Sequence, residues 1–291
     1  MIPLPKPQSR SLAVILNYNS SQESLDCIDS LRGGVEVPDI LVIDNASTGD
    51  QFLILSSCEN ARTTIWQNSN NLGFAAGVNM GIKASYDAGY EYCWILNNDC
   101  IVEQHCLKRL LAAADAQEAA LLFGCVSITP DDNAVHTSGG GWLRRYSYTS
   151  KLSREPSSTG LDYISGVSML VRVEQLVNEV GLFDPLFFMY WEDVDLGLRV
   201  KKAKYEVACV DDAVVWHGLS KSLGRERSGR RSYRFEQFFY TSHGSFIRKH
   251  APFSLIFVCG NVFARLVLYT LRGDYKAAKV AAMSLLTGYL K

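Results

Sequence analysis

Long apolar segments and a leader-like start are missing from this chain of 291 residues. The most apolar late segment, residues 251–270, contains Pro252, Asn261 and Arg265, so it falls short of the ~20 consecutive apolar residues that a membrane-spanning helix needs. Residues 1–7 contain three prolines and no apolar core of signal-peptide length. We therefore expect a cytoplasmic protein in which residues 251–270 form an interfacial or packed helix.

Paired cysteines are missing as well. The eight cysteines stand singly among apolar neighbours, without a CxxC pair or disulfide-like spacing, which is typical of buried free thiols. The sequence also has no internal repeats, and near its N-terminus it has no glycine-rich basic loop of the kind that binds a triphosphate. The last absence argues against a nucleotidyltransferase.

Charge is unevenly distributed along the chain, although the net charge is only −1. Residues 1–220 carry 16 Lys and Arg against 27 Asp and Glu, whereas residues 221–291 carry 13 against 3. Such a basic region indicates either an anionic partner, meaning a membrane surface, a diphosphate or a nucleic acid, or simply a solvated basic surface.

The N-terminal part shows a β-α-β pattern. Apolar runs at residues 12–17 and 40–44 flank a helix-like segment at 21–32. Residues 63–67 and 92–96 add two buried strands, joined by a helical crossover over residues 74–88. The pattern predicts an α/β fold of Rossmann-like type, with a mostly parallel central sheet flanked by helices.

The rest of the chain is less regular. Residues 123–164 are interpreted as irregular or antiparallel, and residues 165–171 as a strand that leads into a helix at 173–180. Three further helices are expected in the C-terminal part, at residues 235–250, 253–271 and 274–290.

Each of three predicted strands ends in polar residues. These polar segments are residues 17–19, 44–47 and 97–99. In a parallel sheet, ligands bind beyond the carboxyl ends of the strands. We therefore expect the three segments to face one crevice.

The polar segments fit the parts of a nucleotide-sugar site. Tyr18 can stack on a base, Asp44 can accept a hydrogen bond from a base or a ribose, and Asp99 is a hard oxygen ligand suited to Mg²⁺ or Mn²⁺. Taken singly, each has a structural alternative as a packing aromatic, a turn or helix cap, or a polar loop. Their shared position at strand ends favours the site.

Three carboxylates, Glu192, Asp193 and Asp195, follow the apolar, aromatic run at residues 187–191. Burying a carboxylate is costly unless it is paired, hydrogen-bonded or bound to a cation. These acids are either the first turn of a helix, where the helix dipole tolerates them, or part of a catalytic site. For glycosyl transfer with inversion, Asp193 is the candidate general base, and its two acidic neighbours are candidates for orienting the acceptor or the base.

Further candidates for the site lie downstream. His217 follows an apolar strand and is either structural or a ligand of the metal or the diphosphate. Ser220, Lys221 and the Arg-rich residues 225–234 are candidates for closing over the phosphates. Nucleic-acid binding by the Arg-rich residues is an alternative, but we expect no nucleic-acid partner.

Six stretches of the sequence together resemble a known family. They are residues 14–19, 42–47, 71–79, 96–99, 165–166 with 169–170, and 192–199. They follow in family order over residues 12 to about 220, and the combination is specific although no single stretch is. The chain resembles family 2 glycosyltransferases with the GT-A fold and, among them, the bacterial rhamnosyltransferase-like branch.

The resemblance implies an inverting transferase that uses a nucleotide-diphosphate sugar, often dTDP-L-rhamnose, to build a bacterial cell-surface glycan. It implies that Asp44 binds the base or ribose and that Asp193 is the base. It also implies that Asp99 binds the metal and that His217 contacts the metal or the diphosphate. The usual Asp-x-Asp motif is Asn-Asn-Asp at residues 97–99, which leaves one carboxylate for the cation and a donor contact that is partly amide-based.

The candidate site residues fall into four groups. The catalytic candidates are Asp193 and Glu192, and the metal candidates are Asp99 and His217. The donor-binding candidates are Tyr18, Asn19, Asp44, Asn45, Asn71, Gly73, Asn97, Asn98 and Lys221. The acceptor-binding candidates are Trp191 and Asp195.

We expect the chain to have two parts. Residues 1–220 would form the GT-A nucleotide-sugar-binding and catalytic domain, and residues 221–291 a basic helical region for docking the acceptor or a membrane. The expected partners are a nucleotide-diphosphate sugar and a glycan or polyprenyl-diphosphate-linked acceptor, with peripheral contact to the inner leaflet of the cytoplasmic membrane. The alternative functions are a non-catalytic nucleotide- or glycan-binding module of the same fold, and a nucleotidyltransferase.

Overall fold

A computed structural model describes residues 4–130, 133–144, 147–155, 160–218, 232–251 and 255–291 of the chain. The strands in these residues are β1 (Ser11–Asn17), β2 (Asp39–Asp44), β3 (Thr63–Gln67), β4 (Tyr92–Asn97), β5 (Cys100–Val102), β6 (Ala120–Ile128), β7 (Val135–Ser138), β8 (Gly140–Arg144), β9 (Thr149–Leu152), β10 (Tyr163–Ile164), β11 (Ser168–Arg172) and β12 (Glu206–His217). The helices are α1 (Ser21–Arg32), α2 (Gln51–Ser56), α3 (Gly73–Ala88), α4 (Cys106–Ala116), α5 (Val173–Gln175, continued by a π-helical turn over Leu176–Val180), α6 (Glu192–Lys202), α7 (Tyr233–His250), α8 (Leu255–Leu271) and α9 (Tyr275–Leu290).

A nine-stranded sheet forms the centre of the fold. Its order is β3-β2-β1-β4-β11-β6-β12-β5, and β7 pairs with β6. Strands β1 to β4 run parallel to one another, and β6 and β12 are parallel neighbours, whereas β5, β7 and β11 pair antiparallel. A second sheet, in the order β10-β8-β9, is antiparallel. The predicted mostly parallel central sheet is thus confirmed.

Burial on both faces explains why the strands are almost continuously apolar. In β1, Ala13 and Ile15 belong to an apolar cluster on one face of the sheet, and Leu12 and Val14 to a cluster on the other face. Successive side chains of a strand point to opposite faces, so a strand covered on both sides needs an apolar residue at every position. This arrangement leaves the polar residues of the strand ends for the site.

The sequence patterns predicted most of these elements. The bounds expected for α1 and β3 agree with the structure, and those of β1, β2, β4 and α3 differ by one residue at one end. In the middle region, β7 to β10 are antiparallel as expected, but β6 is a central strand that runs parallel to β12. Its parallel partner begins 78 residues after residue 128, where β6 ends, and no local pattern signals such a pairing.

The C-terminal helices pack closely on one another. A Cβ atom on Gly244 of α7 would overlap the carbonyl oxygen of Leu285 in α9, and a Cβ atom on Gly288 of α9 would overlap that of Thr241 in α7. Ser245 Oγ also donates to Gly288 O at 3.1 Å. None of the helices in the described part of the chain is long and apolar enough to cross a membrane. The expected division at residue 220 falls in residues 219–231, outside the described residues, and stays a prediction.

We expect Gly288→Ala to destabilise the protein by about 1–3 kcal/mol, because the added methyl group forces α7 and α9 apart. The matched control is Gly260→Ala in α8, where no described atom lies within 4 Å of an added Cβ and where alanine favours the helix by up to about 1 kcal/mol. Urea unfolding followed by circular dichroism measures both. Equal free energies of unfolding for the two variants would contradict close packing of these helices.

Candidate active site

The polar ends of three neighbouring strands lie together at one edge of the sheet. Asn17 at the end of β1 pairs in register with Asp44 at the end of β2, and Asn97 at the end of β4 pairs with Leu16. The three polar segments therefore lie side by side at this edge, and we call the space beyond them the crevice. They lie beyond the carboxyl ends of parallel strands, where ligands bind in sheets of this type.

Asp44 organises the bottom of this crevice. Its carboxylate is fully buried and accepts hydrogen bonds from Asn17 Nδ2 at 2.8 Å, Ser47 N at 3.1 Å and Gln67 Nε2 at 3.4 Å. The Gln67 contact is the longest of the three, and Gln67 is exposed. The Gln67 bond is therefore the one that another hydrogen-bond donor could replace most easily, while the other two bonds hold the carboxylate in place.

Tyr18 and Asn19 form the open rim next to Asp44. Tyr18 is 44% exposed. Asn19 has a left-handed backbone (φ 55°), accepts a hydrogen bond from Thr48 N at 2.8 Å, and donates its own N–H to Ser47 Oγ at 2.8 Å. Asparagine tolerates this conformation better than most residues. The aromatic ring is thus presented on a turn that Asn19 fixes.

Asn45, Asn71 and Gly73 make a second set of contacts behind the rim. Asn45 Nδ2 donates to Asn71 Oδ1 at 2.9 Å and to Gly73 O at 3.2 Å, and Asn71 Oδ1 also accepts from Gly73 N at 2.9 Å. Gly73 has φ 79°, and a Cβ atom there would overlap Phe188 O. Hydrogen bonds among these three residues therefore fix the loop before α3. The absence of a side chain at Gly73 lets this loop approach the segment before α6 closely.

Asp99 and His217 form a pair suited to a divalent cation. Asp99 Oδ1 lies 3.1 Å from His217 Nε2, and Asn97 Nδ2 lies 3.1 Å from the same nitrogen. Mg²⁺ and Mn²⁺ bind ligands at about 2.1 Å, which puts neighbouring ligands of an octahedron about 3 Å apart. The two ligand atoms therefore have the spacing of adjacent ligands of one ion.

Two neighbours of this pair are less suited to contact a donor or a metal. Cys100 lies within 4.8 Å of Asp99 and His217, but burial raises the pKa of its thiol well above the usual value, so it stays a soft neutral ligand. Asn98 Nδ2 donates to Ser20 O and Ser24 Oγ, both at 3.2 Å. Asn98 thus fixes the start of α1 to the end of β4.

A strained segment leads into α6. Tyr190 and Trp191 both have left-handed backbones, with φ 68° and 70°, which is unusual for bulky residues. The Trp191 ring stacks on His243 of α7 with centroids 4.1 Å apart, and Ser242 Oγ donates to Met189 O at 2.8 Å. Packing against α7 therefore stabilises a backbone conformation that is costly on its own.

Asp193 lies in the first turn of α6, partly buried. Its Oδ2 accepts from Gly166 N at 3.1 Å and its Oδ1 from Val194 N at 2.8 Å. Burial raises its pKa to about 6, and the backbone hydrogen bonds oppose that rise. A carboxylate with a pKa near working pH is suited to act as a general base.

Glu192 and Asp195 have different environments from that of Asp193. Burial, and then the charge of Asp193, raise the pKa of Glu192 well above its usual value. Burial opposes ionisation of Asp195 too, but hydrogen bonds from His250 and Lys249 and the charge of Arg199 outweigh it and lower its pKa to about 2. The three acids of the cluster thus have three distinct protonation properties.

The two acceptor candidates lie inside the protein. Asp195 is fully buried and bonded to side chains of α6 and α7, and Trp191 is 3% exposed under α7. In this structure both hold α6 against α7, and their assignment to the acceptor stays a prediction. Lys221 and Ser220 lie outside the described residues.

Sequence reasoning missed the partners that α7 supplies. Lys249 Nζ lies 2.7 Å and His250 Nε2 2.8 Å from Asp195 Oδ1. Both are more than 50 residues away along the chain, and a basic residue in the last turn of a helix has an ordinary explanation in the helix dipole. No signal in the sequence alone distinguishes them from such residues.

Comparison with known proteins gives the family. Residues 12–174 match the sequence profile described as glycosyl transferase family 2. N-acetylglucosaminyl-diphospho-decaprenol L-rhamnosyltransferase of Mycobacterium tuberculosis is 29% identical over 240 residues, covering 73% of this chain and 77% of that protein. Rhamnosyltransferase WbbL of Escherichia coli is 24% identical over 209 residues, and the match covers 65% of this chain and 76% of WbbL.

Solved structures share the fold at low sequence identity. Mannosyltransferase PcManGT from Pyrobaculum calidifontis, in complex with GDP-Man and Mn²⁺, has a TM-score of 0.58 at 14% identity, covering 99% of this chain and 78% of that one. S. aureus TarS 1-349 in complex with UDP-GlcNAc has a TM-score of 0.54 at 16% identity, and the match covers 96% of this chain and 92% of that one. With the GT-A fold and a family profile that spans more than half of its length, the chain belongs to glycosyl transferase family 2 and is a glycosyltransferase.

Proposed function

We propose that this glycosyltransferase moves L-rhamnose, with inversion, from dTDP-L-rhamnose to a hydroxyl of a polyprenyl-diphosphate-linked glycan. The product would be a precursor of a bacterial cell-surface polysaccharide. Two relatives named as rhamnosyltransferases support the sugar, and the name of one of them includes a diphospho-decaprenol acceptor. We propose the same sugar and the same kind of acceptor for the present chain.

One observation carries the proposal. The short segment at residues 165–167 connects the candidate base to the candidate metal pair, because Gly166 N donates to Asp193 and Val167 O accepts from Asn97 N at 2.9 Å. Asn97 in turn contacts His217. Displacement at a sugar carbon needs a base on one side of that carbon and a group that binds the leaving diphosphate on the other. The candidate base and the candidate metal pair lie on two sides of one short segment, which fits this need.

The donor is proposed to bind along the crevice edge. Tyr18 offers an exposed ring for stacking on the thymine base, and Asp44 accepts a hydrogen bond from the base or ribose once Gln67 moves aside. Asn45, Asn71 and Gly73 position the adjoining loop through the hydrogen bonds they share. Asn19 and Asn98 hold the backbone on either side of Tyr18 and Asp99. Lys221 is proposed to contact the diphosphate.

Asp99 and His217 are proposed to hold a Mg²⁺ or Mn²⁺ ion. The 3.1 Å spacing of their ligand atoms fits two adjacent positions of an octahedral ion. When bound, the ion would offset the negative charge that the diphosphate gains as it leaves. Two of the similar solved structures contain Mn²⁺, one with GDP-Man and one with UDP and GalNAc.

Asp193 is proposed to act as the general base. Its carboxylate takes the proton of the acceptor hydroxyl, and the oxygen attacks the anomeric carbon from the face opposite the diphosphate. The new glycosidic bond forms as the bond to dTDP breaks, so the configuration inverts and dTDP leaves as the anion. Glu192 is buried, whereas Asp193 is only partly buried, so Asp193 is the more accessible of these two carboxylates for the acceptor hydroxyl.

Thermal unfolding with dTDP, UDP and GDP, each with and without Mn²⁺ or Mg²⁺, tests donor and metal together. A nucleotide at about 100 times its Kd stabilises the fold by ~2.7 kcal/mol. We expect dTDP to stabilise most, the metal to strengthen the effect, and Asp99→Ala to remove the metal-dependent part because His217 alone binds the cation weakly. Stabilisation by UDP or GDP alone would refute the proposed donor.

Asp193→Asn tests turnover against mere binding. The amide keeps the shape but cannot accept the proton, so we expect transfer to slow by about 10²–10⁴-fold while dTDP binding persists. The measurement is dTDP release from dTDP-L-rhamnose with a polyprenyl-diphosphate-linked acceptor. The matched control is Asp87→Asn, an exposed acid on α3 that pairs with Lys83. Unchanged transfer in Asp193→Asn would favour another base, and absence of transfer in the unmodified protein would favour a binding module.

The pH profile of transfer tests the raised pKa of Asp193. The base is active only when ionised, so kcat/KM should rise with pH, reach half its maximum near pH 6 and level off above it. An acid of ordinary pKa would give a profile that is already flat at pH 6. A half-maximum near pH 4 would therefore contradict either the environment or the role of Asp193.

A further inference from the structure

Helix α8 exposes five large apolar side chains on one side. Ile256, Phe263 and Leu271 are 77%, 69% and 81% exposed, and Leu266 and Val267 between them are also exposed. These positions recur at helical spacing, so they form one stripe about 22 Å long. We call these five residues the α8 stripe.

Two polar side chains of α8 lie on the opposite side and contact the protein. Asn261 Nδ2 donates to Ser147 O at 3.1 Å, and the Arg265 guanidinium lies over the Tyr240 ring, 5.3 Å from its centroid. A helix on the surface of a water-soluble protein normally buries its apolar face and exposes its polar one. In α8, Val262 and Tyr269 pack against the protein, but the α8 stripe is exposed as well, and a continuous exposed apolar stripe of this kind marks a binding surface.

Positive charge accompanies the α8 stripe. Arg272, Lys276 and Lys279 are exposed just beyond its C-terminal end. In residues 232–251 and 255–291 there are eight Lys and Arg but two acids. Of these acids, Glu236 is buried and Asp274 accepts a hydrogen bond from a backbone amide of α9. The exposed charge beside the stripe is therefore predominantly cationic.

We propose that the α8 stripe lies in the headgroup region of an anionic lipid bilayer, parallel to its surface. The apolar side chains would contact the acyl chains, and Arg272, Lys276 and Lys279 the lipid phosphates. A second copy of the chain fits this surface less well, because a symmetric dimer would bring the same cations together, whereas anionic lipid neutralises them.

The contacts between the helices fix the α8 stripe relative to the catalytic segment. Tyr269 of α8 packs in one apolar cluster with Leu285 of α9, α9 packs on α7 at Gly288, and Ser242 of α7 donates to Met189 just before α6. If the acceptor is lipid-linked, as the proposed function has it, this connection holds the crevice at the surface where the acceptor resides. That consequence rests on the proposed function, whereas bilayer binding itself does not.

Vesicle flotation of the whole chain, without donor or acceptor, tests the inference. The probes are vesicles of phosphatidylcholine alone and with about 30% phosphatidylglycerol. We expect the chain to float with the anionic vesicles, and Phe263→Gln with Leu271→Gln to weaken this binding about tenfold. The matched control, Val35→Gln with Leu53→Gln, replaces two exposed apolar residues elsewhere and should bind like the unmodified chain. Arg272→Gln with Lys279→Gln should lower binding to anionic vesicles only.

Two results would overturn the inference. One is a chain that stays in the soluble fraction with anionic vesicles, or α8 variants that float like the unmodified chain. The other is a dimer in gel filtration that Phe263→Gln with Leu271→Gln dissociates, which would assign the stripe to a second copy. Thermal unfolding with and without dTDP, measured on the same variants, shows that they are folded. Loss of vesicle binding with the dTDP response retained thus separates this inference from the proposed function.

Discussion

A fully buried carboxylate, Asp195, ties the catalytic helix to the C-terminal helices. Removing its charge from water costs several kcal/mol, and that cost is offset only because Arg199 Nε, Lys249 Nζ and His250 Nε2 lie within 2.9 Å of its oxygens. Arg199 belongs to α6 and the other two partners to α7. Asp193 is two residues away on the same helix, so the contacts that hold Asp195 also hold the candidate base. The left-handed backbone before α6 is sustained by the same packing.

The acidic cluster shows how environment sets function within one turn of a helix. Hydrogen bonds from His250 and Lys249 and the charge of Arg199 lower the pKa of Asp195, whereas burial and the charge of Asp193 raise that of Glu192. Asp193 lies between these extremes, with backbone N–H donors that partly offset its burial. Side-chain chemistry is nearly the same in all three residues, so their difference comes from their partners. Asp193, with a pKa raised to about 6, is the acid whose pKa lies near neutral pH while its partners leave it partly accessible.

The sequence was informative where local pattern determines structure. Apolar runs followed by polar residues predicted β1, β2 and β4 and brought the ends of these strands, Asn17, Asp44 and Asn97, to one crevice. The sequence was less informative where contacts with distant residues determine whether a side chain is buried. Trp191 and Asp195 follow an aromatic run beside the candidate base, which suggested the acceptor, but α7 covers them. Neither residue type nor spacing reveals that coverage, because it depends on a helix that lies more than 40 residues further along the chain.

The single carboxylate at residues 97–99 has an electrostatic consequence for the proposed reaction. A divalent cation held by Asp99 and a neutral His217 retains one net positive charge, whereas two carboxylates would cancel it. More of the cation's charge would then act on the diphosphate, at the expense of a weaker hold on the cation itself. The leaving diphosphate would still carry excess negative charge. Residues 221–234, which begin four residues after His217, contain six Lys and Arg, and in the proposed reaction they would supply further positive charge to the diphosphate.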